Sequence, residues 1–151
     1  MSSDPATQMS IKLAIVDING TLSREIPGEI WGSSDWNMEL LEELEKYERI
    51  YLFSACQVRE IAESKIPAPL QYDNLILMRE EHCCQLHWKL RYLSIQREPF
   101  VVYDDNEVFI KAAQEKYGED RAILVTNMGG GGYGRPGCYG SCLTYSMPSE
   151  H

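Results

Sequence analysis

Five short apolar runs alternate with four segments of helical periodicity along this chain, and that alternation constrains its fold more than any other feature. Repeated strand–helix alternation is typical of βαβ units, in which right-handed crossovers build a parallel sheet. We therefore expect an α/β fold, a three-layer Rossmann-like architecture around a five-stranded parallel sheet. The predicted strands are Ile11–Asp17, Ile50–Ser54, Leu75–Met78, Phe100–Tyr103 and Ala122–Val125.

The predicted helices carry apolar residues at the three- and four-residue spacing of an amphipathic helix. Ser34 or Asp35 is the expected N-cap of the first helix, and Gly118 is placed to end the fourth. The predicted apolar stripe of the fourth helix consists of Val108, Ala112, Ala113 and Tyr117.

The composition favours one soluble domain. The chain has 151 residues, of which 44% are hydrophobic and 25% charged, and a net charge of −9 argues against sequence-independent nucleic-acid binding. No apolar run approaches the roughly 20 residues of a membrane span, and residues 1–10 lack the pattern of a signal peptide. The five cysteines are too few and unevenly placed for a disulfide scaffold. We expect a cytoplasmic protein without a membrane partner.

Composition also divides the chain into three parts. Residues 1–10 are polar and are expected to be a disordered N-terminus, and residues 11–128 form the predicted domain. Residues 129–151 begin with a run rich in Gly, Tyr and Pro that has no periodicity, and we interpret them as a Gly-rich tail.

Chemically useful side chains lie at the ends of three predicted strands: Asp17, Ser54 and the pair Asp104-Asp105. If these strands are neighbours, their carboxyl ends place those groups at one edge of the sheet, where α/β folds bind ligands. Carboxylates from two strand ends suit a hard divalent cation, most plausibly Mg²⁺. The Ser54 hydroxyl, backbone amides and Lys89 can hold phosphate oxygens, which leaves Asp17 to attack phosphorus.

These residues resemble the ordered motifs of the haloacid dehalogenase superfamily of phosphohydrolases. The first motif is matched by Asp17-Ile18-Asn19-Gly20-Thr21-Leu22 after an apolar strand, and the second by Tyr51-Leu52-Phe53-Ser54. Lys89 is the best match to the motif lysine, ahead of Lys65, and Val101-Val102-Tyr103-Asp104-Asp105 matches the last motif. All four occur in order, and the resemblance covers roughly residues 11–127.

The resemblance implies the sheet order 5-4-1-2-3 and an Mg²⁺-dependent hydrolysis of phosphate monoesters. Asp17 is the implied nucleophile. The implied metal ligands are Asp17, the backbone carbonyl of Asn19, Asp104 and Asp105, and the implied phosphate-binding residues are Thr21, Ser54, Ala55 and Lys89.

A narrower resemblance concerns the substrate. Leu77-Met78-Arg79, followed by Lys89 and the paired acids, is similar to the phosphatase domain of polynucleotide kinase-phosphatases, which remove 3′-phosphates from nucleic-acid ends. It implies that Arg79 contacts phosphate and that the substrate is a nucleotide or nucleic-acid end, or another phosphorylated small molecule. The short connectors leave no room for a cap domain, so we expect an open site that a protein partner can reach.

Asn19 departs from the family pattern, which has an aspartate there as general acid and base. An amide orients by hydrogen bonding but does not exchange a proton at neutral pH. Three interpretations follow: a slow phosphatase, a carrier that accumulates the aspartyl-phosphate, or a retired enzyme that still binds phosphate, metal or a protein partner. An engineered substitution that traps a complex is a further interpretation of the same residue.

A separate hypothesis concerns zinc. Histidine and cysteine side chains are soft enough to hold a structural zinc ion, although their spacing here fits no standard pattern. The candidate ligands are His82, Cys83, Cys84, His87, Cys138 and Cys142.

Overall fold

A computed structural model describes residues 11–24, 35–56, 58–78 and 85–128. Five strands and four helices alternate along these residues. A 3₁₀ turn, Glu119–Arg121, lies between the last helix and the last strand. The strands are β1 (Leu13–Asp17), β2 (Arg49–Ser54), β3 (Asn74–Leu77), β4 (Phe100–Asp104) and β5 (Ala122–Leu124), and the helices are α1 (Met38–Leu44), α2 (Arg59–Ser64), α3 (Gln85–Ser94) and α4 (Glu107–Tyr117).

The strands form one sheet in the order β3-β2-β1-β4-β5, and every neighbouring pair is parallel. The predicted α/β class, the five-stranded parallel sheet and the order 5-4-1-2-3 are confirmed, since the same order is read here from the opposite side. β1 is central, and all five of its residues are buried, as are those of β4. Strands buried on both faces explain why both segments are continuous apolar runs up to their terminal acids.

Two apolar clusters cover the two faces of the sheet. Leu13 and Ile15 pack on the face covered by α3 and α4, whereas Ala14 and Val16 pack on the face covered by α1 and α2. This division follows from the two-residue period of a strand. By the same alternation, Asp17 at the end of β1 points to the side of α3 and α4.

The start of α1 differs from the prediction. Its N-cap is Asn37, whose side chain accepts a hydrogen bond from the backbone N–H of Leu40 at 3.1 Å. The prediction of Asp35 is wrong, because Asn37 is the residue whose oxygen reaches the third N–H of the helix; Ser34 lies outside the described residues.

The predicted stripe of α4 is correct only in part. Ala113 is buried, but Val108 is 38% exposed, and the positions buried beside Ala113 are Phe109 and Ile110. Two adjacent apolar residues both fit the helical period, so the pattern alone did not separate the inward from the outward position. Gly118 ends the helix as predicted, with a φ of 117° that other residues seldom adopt.

Within the described ranges, none of the helices combines the length and the apolar character that crossing a bilayer requires. The predicted N-terminus (1–10) and Gly-rich tail (129–151) lie outside those ranges.

Candidate active site

The candidate site lies at the carboxyl edge of the two central strands. Asp17 is the last residue of β1 and Asp104 the last of β4, and the two strands pair directly in parallel. By the alternation of each strand, both side chains lie on the face of the sheet that packs against α3, and α3 carries Lys89. Strand adjacency and strand period together explain why these two acids and this lysine meet.

Lys89 makes two buried ion pairs in this site. Its Nζ lies 2.6 Å from Asp104 Oδ2 and 3.2 Å from Asp17 Oδ1. The relative exposures of Asp17, Lys89 and Asp104 are 5%, 1% and 0%. A buried charge requires a partner, so each of these groups depends on the others. Lys89, rather than Lys65 at the end of α2, is therefore the lysine in contact with the acids.

Two aromatic rings enclose the lysine ammonium. Lys89 Nζ lies 4.9 Å from the ring centroid of Phe53 and 5.5 Å from that of Phe109. The ring faces stabilise a cation and keep water away from it, so they strengthen the two ion pairs. Neither phenylalanine was a predicted site residue, because an apolar residue in a core strand or helix carries no sequence signal for such a contact.

A third carboxylate completes the cluster. Asp17, Asp104 and half-buried Asp105 each offer an oxygen, and these oxygens all lie within 4.8 Å of one another. Among the described residues, these three carboxylates and the Lys89 ammonium carry two excess negative charges when all are ionised. A cluster of this kind can hold a metal ion, because oxygen donors and excess negative charge are what hard cations bind.

The pKa values of the side chains in the cluster reflect its burial and its net negative charge. Burial, followed by the charge of Asp104, raises the pKa of Asp17 well above its ordinary value despite the opposing effect of Lys89. Burial and Asp104 likewise raise the pKa of Asp105 to about 7. Burial alone would lower the pKa of Lys89, but the carboxylates of Asp104 and Asp17 outweigh it and raise that pKa. The lysine is thus a permanent cation, while Asp17 and Asp105 hold their protons more tightly than exposed carboxyl groups do.

The turn after β1 orients Asp17. Gly20 adopts a φ of 81°, which reverses the chain so that the amides of Thr21, Leu22 and Ser23 all donate to the carbonyl of Ile18. Thr21 is fully buried. Its hydroxyl lies 3.0 Å from Asp17 Oδ2 and 3.4 Å from Asp105 Oδ1. With Lys89 on Oδ1, both oxygens of Asp17 are held.

Ser54 and Ala55 lie at the same edge. In the pairing of β1 with β2, Asp17 is opposite Phe53, so Ser54 is one residue beyond it. The Ser54 Oγ accepts the N–H of Cys56 at 3.0 Å, and a hydroxyl that accepts keeps a hydrogen to donate. Asn19 is half-buried in the turn. The predicted phosphate and metal roles of Ser54, Ala55 and Asn19 stay predictions.

Other predicted site residues lie outside the described part of the chain: Arg79, and five of the six candidate zinc ligands. His87 lies on α3 and is half-buried. Asn106 has a role that was not predicted. Its backbone N–H donates to Asp104 Oδ1 at 2.9 Å, and its side chain caps α4 by accepting from Phe109. An asparagine directly before a helical pattern is a recognisable cap signal.

Comparison of this chain with protein-family models, with curated proteins and with solved structures finds no match.

Proposed function

We propose that this chain is an Mg²⁺-dependent phosphohydrolase of the haloacid dehalogenase type, without a cap domain, that forms an aspartyl-phosphate on Asp17. One observation carries the proposal: a buried lysine pairs with two strand-end carboxylates while a third carboxylate stands beside them. Such a charge excess suits a site that receives both a cation and a phosphoryl group. The ordered sequence motifs support the same assignment.

Mg²⁺ fits the donor set, because carboxylate oxygens are the ligands it takes from proteins. Asp17, Asp104 and Asp105 would hold the ion, with the carbonyl of Asn19 as a further ligand. When bound, Mg²⁺ supplies positive charge beside the substrate phosphate. The raised pKa values of Asp17 and Asp105 support this assignment, because a bound cation would offset the burial and the charge of Asp104 that disfavour their ionised forms.

Asp17 is suited to be the nucleophile. Thr21 and Lys89 hold its two oxygens, so its carboxylate is pre-oriented. In the first step an Asp17 oxygen bonds to phosphorus, the bond from phosphorus to the ester oxygen breaks, and the leaving oxygen takes a proton from solvent. In the second step a water oxygen bonds to phosphorus, the bond from phosphorus to the Asp17 oxygen breaks, and a proton of the water passes to solvent, which releases phosphate and restores the Asp17 carboxylate. Lys89 and Ser54 would offset charge on the phosphoryl oxygens during both steps, while the single hydroxyl hydrogen of Thr21 stays on Asp17.

Asn19 sets the expected rate. Because its amide cannot protonate the leaving oxygen or deprotonate water, both steps lack general acid–base help worth about 10²–10⁴-fold. The proposed activity is therefore slow. The substrate class we favour is a small phosphate ester or a 3′-phosphorylated nucleotide or nucleic-acid end, with Arg79 contacting phosphate. The proposed location is the cytoplasm.

Turnover measured with Mg²⁺ tests this function. We expect slow release of p-nitrophenolate from p-nitrophenyl phosphate, and slow release of phosphate from 3′-phosphorylated oligonucleotides. Asp17→Asn is the control, since it keeps the size of the side chain and removes the nucleophile. Activity on neither substrate, or activity that survives Asp17→Asn, contradicts the proposal.

Asn19→Asp separates the slow enzyme from the alternative function, a retired protein that binds metal, phosphate or a partner. If the remaining groups are competent, the substitution raises turnover by about 10²–10⁴-fold, because it restores the proton-transfer group. The double variant Asn19→Asp/Asp17→Asn must stay inactive. If Asn19→Asp does not raise turnover, although calorimetry shows that Mg²⁺ still binds, the result favours the retired protein.

A further inference from the structure

A buried asparagine joins three loops at the carboxyl edge of the sheet. Asn37 is 3% exposed and lies between the turn that follows β1 and the start of α1. Its Nδ2 donates to the carbonyl of Thr21 and to Asn127 Oδ1, each at 3.0 Å. Its Oδ1 accepts from the backbone N–H of Leu40 and from Asn127 Nδ2, each at 3.1 Å. The amide thus uses both hydrogens and both lone pairs.

Capping of α1 does not explain all of these contacts. An N-cap needs only an acceptor for the N–H of Leu40, which a serine, threonine or aspartate would provide equally well. The two donated hydrogen bonds lead away from the helix, to Thr21 and Asn127. Of the favoured cap residues, only asparagine supplies the acceptor and both donors on one short side chain.

The bond to Thr21 connects Asn37 to the nucleophile. The Thr21 carbonyl accepts a hydrogen bond from Asn37, and the Thr21 hydroxyl lies 3.0 Å from Asp17 Oδ2. Thr21 therefore connects Asn37 to Asp17 through hydrogen bonds. The backbone N–H of Asn37 also donates to the carbonyl of Leu22 at 2.8 Å. Two successive carbonyls of the turn are therefore attached to the N-cap residue of α1.

Asn127 supports the amide from the other side. It follows β5, is exposed, and exchanges two hydrogen bonds with the side chain of Asn37. Its Nδ2 also lies 3.2 Å from Glu39 Oε1. This paired arrangement fixes which way the Asn37 amide faces, with its nitrogen toward Thr21.

We propose that Asn37 is a positioning residue for Asp17, acting through Thr21 and oriented by Asn127. The inference rests on the proposed function. Without the amide, the turn is attached to α1 through backbone contacts alone, and the Thr21 hydroxyl no longer holds Asp17 in the attacking geometry. Positional errors of about 1 Å at a reacting group cost up to about 10²-fold in rate.

Asn37→Ser is the decisive variant, because serine keeps the capping acceptor and removes the amide nitrogen that donates to Thr21 and Asn127. We expect kcat for p-nitrophenyl phosphate to fall on the order of tenfold while KM changes less than about twofold. Binding of BeF₃⁻ with Mg²⁺, followed by ¹⁹F NMR, should weaken in parallel. Asn127→Ala should give a smaller fall in kcat, since it removes the support but leaves the Thr21 contact.

Two controls isolate positioning from stability. Asn74→Ala makes the same change as Asn127→Ala at an exposed position that begins β3, at the opposite edge, and should leave kcat unchanged. Leu44→Val loosens packing at the buried end of α1 and should lower the melting temperature without lowering kcat. An Asn37→Ser protein with lowered melting temperature but unchanged kcat and BeF₃⁻ binding makes Asn37 a helix cap only. If the unaltered chain neither turns over substrate nor binds BeF₃⁻, the proposed function itself fails.

Discussion

The two edges of the sheet use the same kinds of charged residue in opposite ways. At the amino edge, Lys12 pairs with Glu48 at 3.0 Å and Arg49 with Glu98 at 2.8 Å, and these side chains are 38–59% exposed. At the carboxyl edge, Lys89 pairs with Asp17 and Asp104 at similar distances with almost no exposure. Water screens the first set and is excluded from the second, so similar contacts have very different energies.

A cavity at the amino edge sharpens the contrast. It has a volume of about 450 Å³ and lies between the end of α1 and residues 69–73. Carboxylates line it, but Asp73 accepts the backbone N–H of Ile50 and Glu48 pairs with Lys12. Space alone therefore does not identify a site. The carboxyl edge is distinguished by charges that are buried, close together and incompletely balanced.

The largest expected effect is the loss of a buried cation. Lys89→Met leaves the carboxylates of Asp17 and Asp104 without their partner and should lower the free energy of unfolding by about 3–5 kcal/mol. The same substitution at the amino edge, Lys12→Met, should cost less than about 1 kcal/mol. Urea unfolding of both variants without metal measures the difference.

Adding Mg²⁺ to the same unfolding experiment tests the Lys89→Met prediction further. Saturating Mg²⁺ should recover part of the stability lost in Lys89→Met, because a second cation replaces the missing charge. The difference in stability between Lys12→Met and the unaltered chain should be the same with and without Mg²⁺, because Lys12 lies away from the acids. Equal losses in the two variants would show that the carboxyl-edge pairs are as weakly coupled as the exposed ones.

The second prediction concerns pH. Burial and the charge of Asp104 raise the pKa of Asp105 to about 7 in the folded protein, above its ordinary value of 3.8, and raise the pKa of Asp17 as well. The folded state therefore keeps protons that the unfolded state releases. The stability that these two groups contribute is fully present below about pH 4 and is lost as the pH rises through about 7. Mg²⁺ needs the ionised acids, so the melting temperature should respond weakly to Mg²⁺ near about pH 5 and strongly near about pH 8.

Asp105→Asn is the matched variant for that experiment. It removes the titrating group while keeping the side-chain size, so the decline in metal-free stability between about pH 4 and 7 should become shallower. A Mg²⁺ response of the melting temperature that is independent of pH would contradict the link between ionisation of these acids and metal binding.

The smallest expected effect lies on the other face of the sheet. Tyr103 precedes Asp104 but points toward α1, where its hydroxyl lies 2.8 Å from that of Tyr47 and 2.9 Å from Glu43 Oε2. Tyr47→Phe removes the first of these bonds and should cost about 0.5–1.5 kcal/mol in urea unfolding. Tyr103→Phe should cost more, since it removes both. Neither should change Mg²⁺ affinity by calorimetry; a clear change would show that the two faces are coupled.

Much of the fold was predictable because it depends on local pattern. Apolar strands, helical spacing and the order of elements identified the class, and the order of strands followed from the resemblance and is confirmed. The N-cap of α1 and the inward face of α4 were harder to predict, because neighbouring residues fitted the cap preference or the helical spacing equally well. Asn37, rather than Asp35, became the cap through its reach to Leu40.

The candidate site likewise contains residues that the sequence identified and contacts that it did not. Asp17, Lys89, Asp104 and Asp105 were identified in the sequence as groups that carry chemistry, and the structure brings them together. The enclosure of Lys89 by Phe53 and Phe109, and the link from Asn127 through Asn37 to Thr21, were not predictable. These contacts join residues far apart in the chain whose types are common in ordinary cores and loops.

By itself, the amino-acid sequence determined where strands end and which acids, hydroxyl and lysine stand at those ends, because strand and helix periods are local properties of the chain. Only the tertiary structure decided that Lys89 is buried and balances one of three carboxylate charges, with Asp17 held on both oxygens. Burial and charge balance are properties of the packed whole, and they arise when β1, β4 and α3 come into contact.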